Sequence, residues 1–129
     1  MSQAHPVVIA FLNAWKALDE DAYAALFADE FESIDPYGTA NTLDGVRQHI
    51  HLIRKYWTDL DYEITEAFGD EHHAAVAYRI SMRGTGGGWE GQQLTLDCIA
   101  LVEITDGRIS RWREQFDTNV FAKARARAA

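Results

Sequence analysis

Cysteine, basic residues and long apolar runs are all scarce in this chain. Of its 129 residues only Cys98 is a cysteine, which excludes an internal disulfide framework and a cysteine-rich metal site. No apolar run approaches the roughly 18 residues of a membrane span. No signal-peptide pattern precedes Val7, so a cytoplasmic location away from membranes is expected. Lysine and arginine number 12 against 20 aspartates and glutamates, a formal net charge of -8. A protein that tracks phosphates needs a basic face, so nucleic acid is not an expected partner. The histidines and carboxylates show no metal-ligand spacing, and no metal is expected. Glycine clusters only in Gly84-Thr85-Gly86-Gly87-Gly88. That run lacks the lysine and the strand-to-helix setting of a phosphate cradle. It reads as a mobile hairpin end, a lid carrying Trp89, and no cofactor is expected.

What is present is the pattern of one soluble domain spanning residues 1–129, with 47% hydrophobic and 25% charged residues. Val8, Phe11, Leu12, Trp15 and Leu18 recur at helical spacing after Pro6. Asp19-Glu20-Asp21 offers caps for a second short helix with Tyr23, Leu26 and Phe27 as its stripe. A short strand, Phe31 to Asp35, runs into the turn Asp35-Pro36-Tyr37-Gly38. A third helix follows Thr42, with Val46, Ile50, Ile53 and Trp57 on one face. From Leu60 the period changes to two, giving strands near Leu60–Phe68, His73–Arg83, Gln92–Ile104 and Arg108–Phe116. Ile109 and Trp112 cannot share a face of a regular strand, so a bulge or a two-sided environment is expected here. Three helices followed by an antiparallel meander make an α+β plan. A curved sheet wrapped on the helices would form a cone with an apolar pocket at its mouth.

Three segments carry a resemblance: Ala25-Leu26-Phe27-Ala28-Asp29-Glu30, Ser33-Ile34-Asp35-Pro36-Tyr37-Gly38, and Gly107-Arg108-Ile109 with Trp112-Arg113-Glu114-Gln115-Phe116-Asp117. They are similar to the nuclear transport factor 2-like superfamily. Within it the chain resembles SnoaL-like polyketide cyclases, ketosteroid isomerases and limonene-epoxide hydrolases. This implies a cone-shaped, mixed but mainly antiparallel sheet around three N-terminal helices. Asp35 matches the isomerases' general base, although Phe11 stands where they carry a tyrosine. Asp117 and Arg79 match the water-activating aspartate and bridging arginine of the epoxide hydrolases, with Ser81 in place of their partner acid. The cyclases imply a single acid/base aspartate.

Each candidate also has a structural reading. Asp35 heads a sequence that favours a type I turn, and Asp117 can cap a tail helix through Val120, Phe121 and Ala124. Arg79 and Asp97 stand in apolar strands, where each needs a partner and can serve the other; alternatively Asp97 faces the pocket with a raised pKa. The preferred expectation is a cofactor-independent acid/base enzyme for a small hydrophobic carbonyl or cyclic molecule. Asp117 or Asp35 would be its base, and Arg79, Asp97 or Tyr37 would orient the ligand or stabilise negative charge. Phe11, Trp15, Trp57 and Trp89 would line the apolar walls. The alternative is a non-catalytic ligand-binding or dimerisation domain of the same fold. Tyr62, Ile64, Val76, Tyr78, Ile80, Leu94, Leu96, Ile99 and Leu101 are too many apolar groups for one buried face, so a sheet-to-sheet homodimer is expected.

Overall fold

Local signals set the N-terminal helices. In the computed structural model, which describes residues 4–128, α1 spans Pro6–Ala17 with Pro6 in its first turn. Helix α2, Glu20–Ala24, is capped by Asp19, whose side chain accepts a hydrogen bond from the Ala22 N–H. Thr42 does the same for α3, Leu43–Tyr56, accepting from the Gly45 N–H at 3.0 Å. The buried side of α1 is Val7, Val8, Phe11, Leu12, Ala14 and Trp15. That of α3 is narrower, centred on Val46 and Ile50.

The strands are β1 (Phe27–Asp35), β2 (Gly38–Ala40), β3 (Trp57–Gly69), β4 (His73–Gly84), β5 (Gln93–Thr105) and β6 (Arg108–Gln115). They form one open mixed sheet in the order β2-β1-β6-β5-β4-β3. Only β1 against β6 is parallel; the other neighbours are antiparallel. The α+β cone fold is thus present, closed at its C-terminal end by a further helix, α4 (Asn119–Ala128).

Two boundaries differ from the sequence reading. Leu26 and Phe27 do not extend α2: the Leu26 carbonyl accepts from the Ile109 N–H at 2.8 Å, and Phe27 is already paired with Ile109 in β1. Sheet pairing with a strand some 80 residues away overrides a local helical stripe. Trp57 likewise opens β3 rather than closing α3.

Alternation then decides which side chains meet the helices. In β4 and β5 the even-numbered residues are buried and the odd-numbered ones are not. Val76, Tyr78, Ile80, Leu94 and Leu96 therefore all point inward, and Tyr62 and Ile64 pack against the same core. Of the apolar groups expected to overflow onto the outer face, only Ile99 and Leu101 do so, joined by Phe68. Of the two alternatives for Ile109 and Trp112, the bulge is the one present in β6. Glu103 pairs with Arg111 but Ile104 pairs with Ile109, leaving Ser110 as the extra residue. The extra residue restores phase, so that Ile109 and Trp112 are both buried. Asp106 and Gly107, both at positive φ, turn β5 into β6 as a two-residue hairpin of the primed kind. Among the described residues no helix is long and apolar enough to cross a membrane.

Candidate active site

The bulge in β6 has a chemical consequence. With Trp112 facing inward, the next inward position is Glu114, a carboxylate aimed into the cone. It lines a small, partly open cavity with Phe11, Leu12 and Trp15 of α1, Tyr23 of α2, Ser33, Ile34 and Asp35 of β1, His49 of α3, Tyr78 and Ile80 of β4, and Trp112. The cavity offers about 30 Å³, against the roughly 10–15 Å³ that one water needs. Phe11 accounts for much of this tightness, stacking on Trp112 with ring centroids 3.6 Å apart and planes 15° off parallel. A second, more open groove of about 190 Å³ is lined by Ser33, Asp35, Tyr37, Gly38, Thr39, Ala40 and His49. Ser33, Asp35 and His49 line both spaces, so these three side chains form the neck between chamber and groove.

The polar groups at this neck are tuned by burial and by one another. The Tyr78 hydroxyl donates to Glu114 Oε1, and the Trp112 indole N–H approaches the same oxygen at 3.4 Å. Glu114 Oε2 has no protein hydrogen-bond partner among the described residues. Desolvation, and secondarily the negative charge of Asp35, push the Glu114 carboxyl from its ordinary 4.5 up to about 8. Glu114 is therefore largely a neutral acid at pH 7, with a proton to give. Burial likewise raises the Tyr23 hydroxyl, with Glu114 and Asp35 adding to the effect. His49 is lowered by desolvation, partly offset by Asp35, which leaves its imidazole neutral at neutral pH. A neutral carboxyl group at Glu114, a second carboxyl group at Asp35 and a neutral imidazole thus line one cavity, a set that can both donate and accept a proton.

Asp35 holds a turn and also lines the cavity. Its Oδ1 accepts from the Tyr37 N–H at 2.7 Å and the Gly38 N–H at 3.2 Å, fixing the turn between β1 and β2. The same residue lines both chamber and groove. Phe11 and Trp15 lie in the chamber wall and Tyr37 in the groove, where burial and then Asp35 raise its hydroxyl.

The other candidates are elsewhere. Arg79 and Asp97 are cross-strand neighbours on the outer face of the sheet, joined by a 2.9 Å ion pair. Their odd-numbered places in β4 and β5 turn them away from the cone. Asp117 is exposed beyond the end of β6, where its carboxylate accepts from the Asn119 N–H at 2.9 Å and starts α4. Trp57 and Trp89 join Phe121 in an aromatic cluster at the C-terminal end of the cone. Trp89 is no free flap. Its indole N–H donates to the Phe121 carbonyl at 2.9 Å, and the Arg125 guanidinium lies 4.0 Å from its ring. Arg125 also donates to the Gly87 carbonyl at 2.9 Å, so α4 holds the glycine loop in place.

Glu114, His49, Tyr23 and Tyr78 were not singled out in the sequence, yet two left a signal. Counting in twos from Trp112 after the bulge places Glu114 inside. His49 stands three residues after Val46 and four before Ile53, on the apolar stripe of α3.

Known proteins share this frame. No curated protein sequence matches the chain. Among solved structures, an epoxide hydrolase of the limonene-epoxide-hydrolase-like type from M. tuberculosis superposes with a TM-score of 0.75 at 19% identity, covering 96% of this chain and 90% of the other. A protein of ketosteroid isomerase-like fold from Catenulispora acidiphila, crystallised with trimethylamine, gives 0.79 at 16% identity over 95% and 94%. AclR, a putative hydroxylase from Streptomyces galilaeus, gives 0.79 at 11% identity over 93% and 82%. At these identities the likeness is one of fold. Residues 8–112, by contrast, match the SnoaL-like domain itself, and the chain belongs to that family.

Proposed function

We propose that the protein is an acid/base enzyme acting, without a cofactor, on a small carbonyl compound. The observation that carries this reading is the pairing in one cavity of Glu114, held neutral near pH 7, with Asp35, whose charge helps to keep it so. Asp35 is the general base and removes a proton from the carbon next to the carbonyl. Glu114 donates the proton on Oε2 to the carbonyl oxygen as negative charge develops there, while Tyr78 and Trp112 hold Oε1. The enol so formed returns to product when Glu114 recovers its proton from the enol oxygen and Asp35 delivers the one it took to carbon. The chamber has space for a carbonyl oxygen and little more, so the rest of the substrate lies in the groove beside Tyr37.

Arg79, Asp97 and Asp117 lie outside chamber and groove, and the reading gives them no chemical step. The apolar outer face supports a homodimer, with Ile99, Leu101 and Phe68 at its contact. Hydrogen–deuterium exchange next to the carbonyl of small ketones, followed by proton NMR, tests the chemistry. Exchange catalysed by the wild type should fall roughly 10²–10⁴-fold in Asp35→Asn, the usual contribution of a positioned base. Equal rates with and without the protein across a ketone panel would refute it.

A further inference from the structure

The charge balance of the neck adds a constraint on the substrate. Asp35 Oδ1 is taken up by two backbone N–H groups, and the carboxylate forms no ion pair among the described residues. Neither chamber nor groove is lined by a lysine or arginine. The cations that might have served are committed elsewhere: Arg47 to Asp21, Arg54 to Glu20, Lys16 to Asp61 and Arg111 to Glu32. Arg125, close enough to Tyr37 to oppose the effect of Asp35 on it, lies on the Trp89 ring. His49 is kept neutral by desolvation. No cation pairs with Asp35 at the neck, and its charge acts on Glu114, Tyr23, Tyr37 and His49, opposed by Arg125 at Tyr37 alone.

We infer that the site selects its substrate by charge, taking small carbonyl compounds that bear no carboxylate or phosphate and rejecting their anionic analogues. The inference rests on the acid/base reading of the same site and adds the class of molecule it admits. Two like charges about 6 Å apart, at an effective dielectric constant near 20, disfavour an anion by roughly 100-fold. An enzyme for keto acids would instead carry an arginine or lysine at the groove to hold the carboxylate.

A matched pair of ligands with one skeleton tests this: methyl levulinate, uncharged, and levulinate, its anion at pH 7. Binding is followed by NMR shifts of the Tyr37 and Gly38 amides and the Trp112 indole N–H, at constant ionic strength. The ester should bind at least ~30-fold more tightly than the acid, allowing for screening at the groove. Asp35→Asn, which retains the oxygen that accepts the turn hydrogen bonds, should shrink that ratio to within a few-fold. Levulinate binding as well as its ester, no saturable binding of the ester, or a ratio unchanged in Asp35→Asn would each overturn the inference. The acid/base reading fails on a different result, a Glu114 carboxyl that titrates in the ordinary carboxylate range.

Discussion

Replacing Glu114 by glutamine should remove most of a specific pH dependence of folding stability. In the folded protein Glu114 titrates near 8 rather than 4.5, so between those values the native state holds one more proton than the unfolded chain. Stability must then fall as pH rises across that window, by about 1.4 kcal/mol per pH unit. From pH 5 to pH 8 the loss is on the order of 4 kcal/mol, or roughly 10–15 °C in Tm for a domain of this size. His49 acts in the opposite direction. Its folded pKa is depressed, so it adds stability as pH rises toward its ordinary value of 6.5. Asp61 and Asp70, lowered by hydrogen bonds and charge partners, matter only in acid. All three are common to wild type and Glu114→Gln, so the difference between the two proteins isolates Glu114. Glutamine keeps an acceptor for Tyr78 and Trp112 and needs no deprotonation. Calorimetric Tm values measured from pH 5 to pH 9 should show the variant gaining on the wild type steadily up to about pH 8. Parallel curves over that range would refute the reasoning.

Other perturbations report on neighbouring features. Phe11→Ala deletes the ring stacked on Trp112 and should cost about 3–5 kcal/mol, while enlarging the chamber enough to admit longer ketones; unfolding and exchange assays read the two effects. Asp117→Asn should leave both stability and exchange rate nearly unchanged, because asparagine caps helices as well as aspartate does; a fall as large as that of Asp35→Asn would transfer the base to Asp117. Leu101→Lys places a charge on the apolar outer face and should convert the proposed dimer to monomer in sedimentation velocity; a wild type that is monomeric at micromolar concentration would count against the dimer. Trp89→Ala should lower Tm by several degrees and raise amide exchange in both the 84–91 loop and α4, since one indole joins them; exchange raised in the loop alone would show that α4 is held independently.

Most of the fold could be read in the sequence because its signals are local. Thr42 and Asp19 mark helix starts, Asp106-Gly107 marks a hairpin, and the conflict between Ile109 and Trp112 marks a bulge. The boundaries that differed, at Leu26-Phe27 and Trp57, are those set by partners distant in the chain. The site was less legible for the same reason. Asp35 and Phe11 were placed at it through family resemblance, Trp15 as an aromatic wall and Tyr37 as a polar ligand contact, and the structure sets all four around one chamber and its groove. Arg79 was drawn in by the resemblance and, like Asp97, by the oddity of a charge in an apolar strand. Alternation counted from Tyr78 and Cys98 turns both outward, where water and each other satisfy them. Glu114 needed two steps, the bulge and then the count beyond it, and its protonation depends on burial inside the cone and on Asp35 from another strand. No pattern along the chain announces that convergence.

The account depends most on Glu114 being a neutral acid held so by burial and by Asp35. Its side-chain carboxyl carbon, followed by NMR in protein labelled with carbon-13, reports the titration directly. The predicted midpoint is near 8 in the wild type and clearly lower in Asp35→Asn. A midpoint between 4 and 5, or one that Asp35→Asn leaves in place, would contradict it.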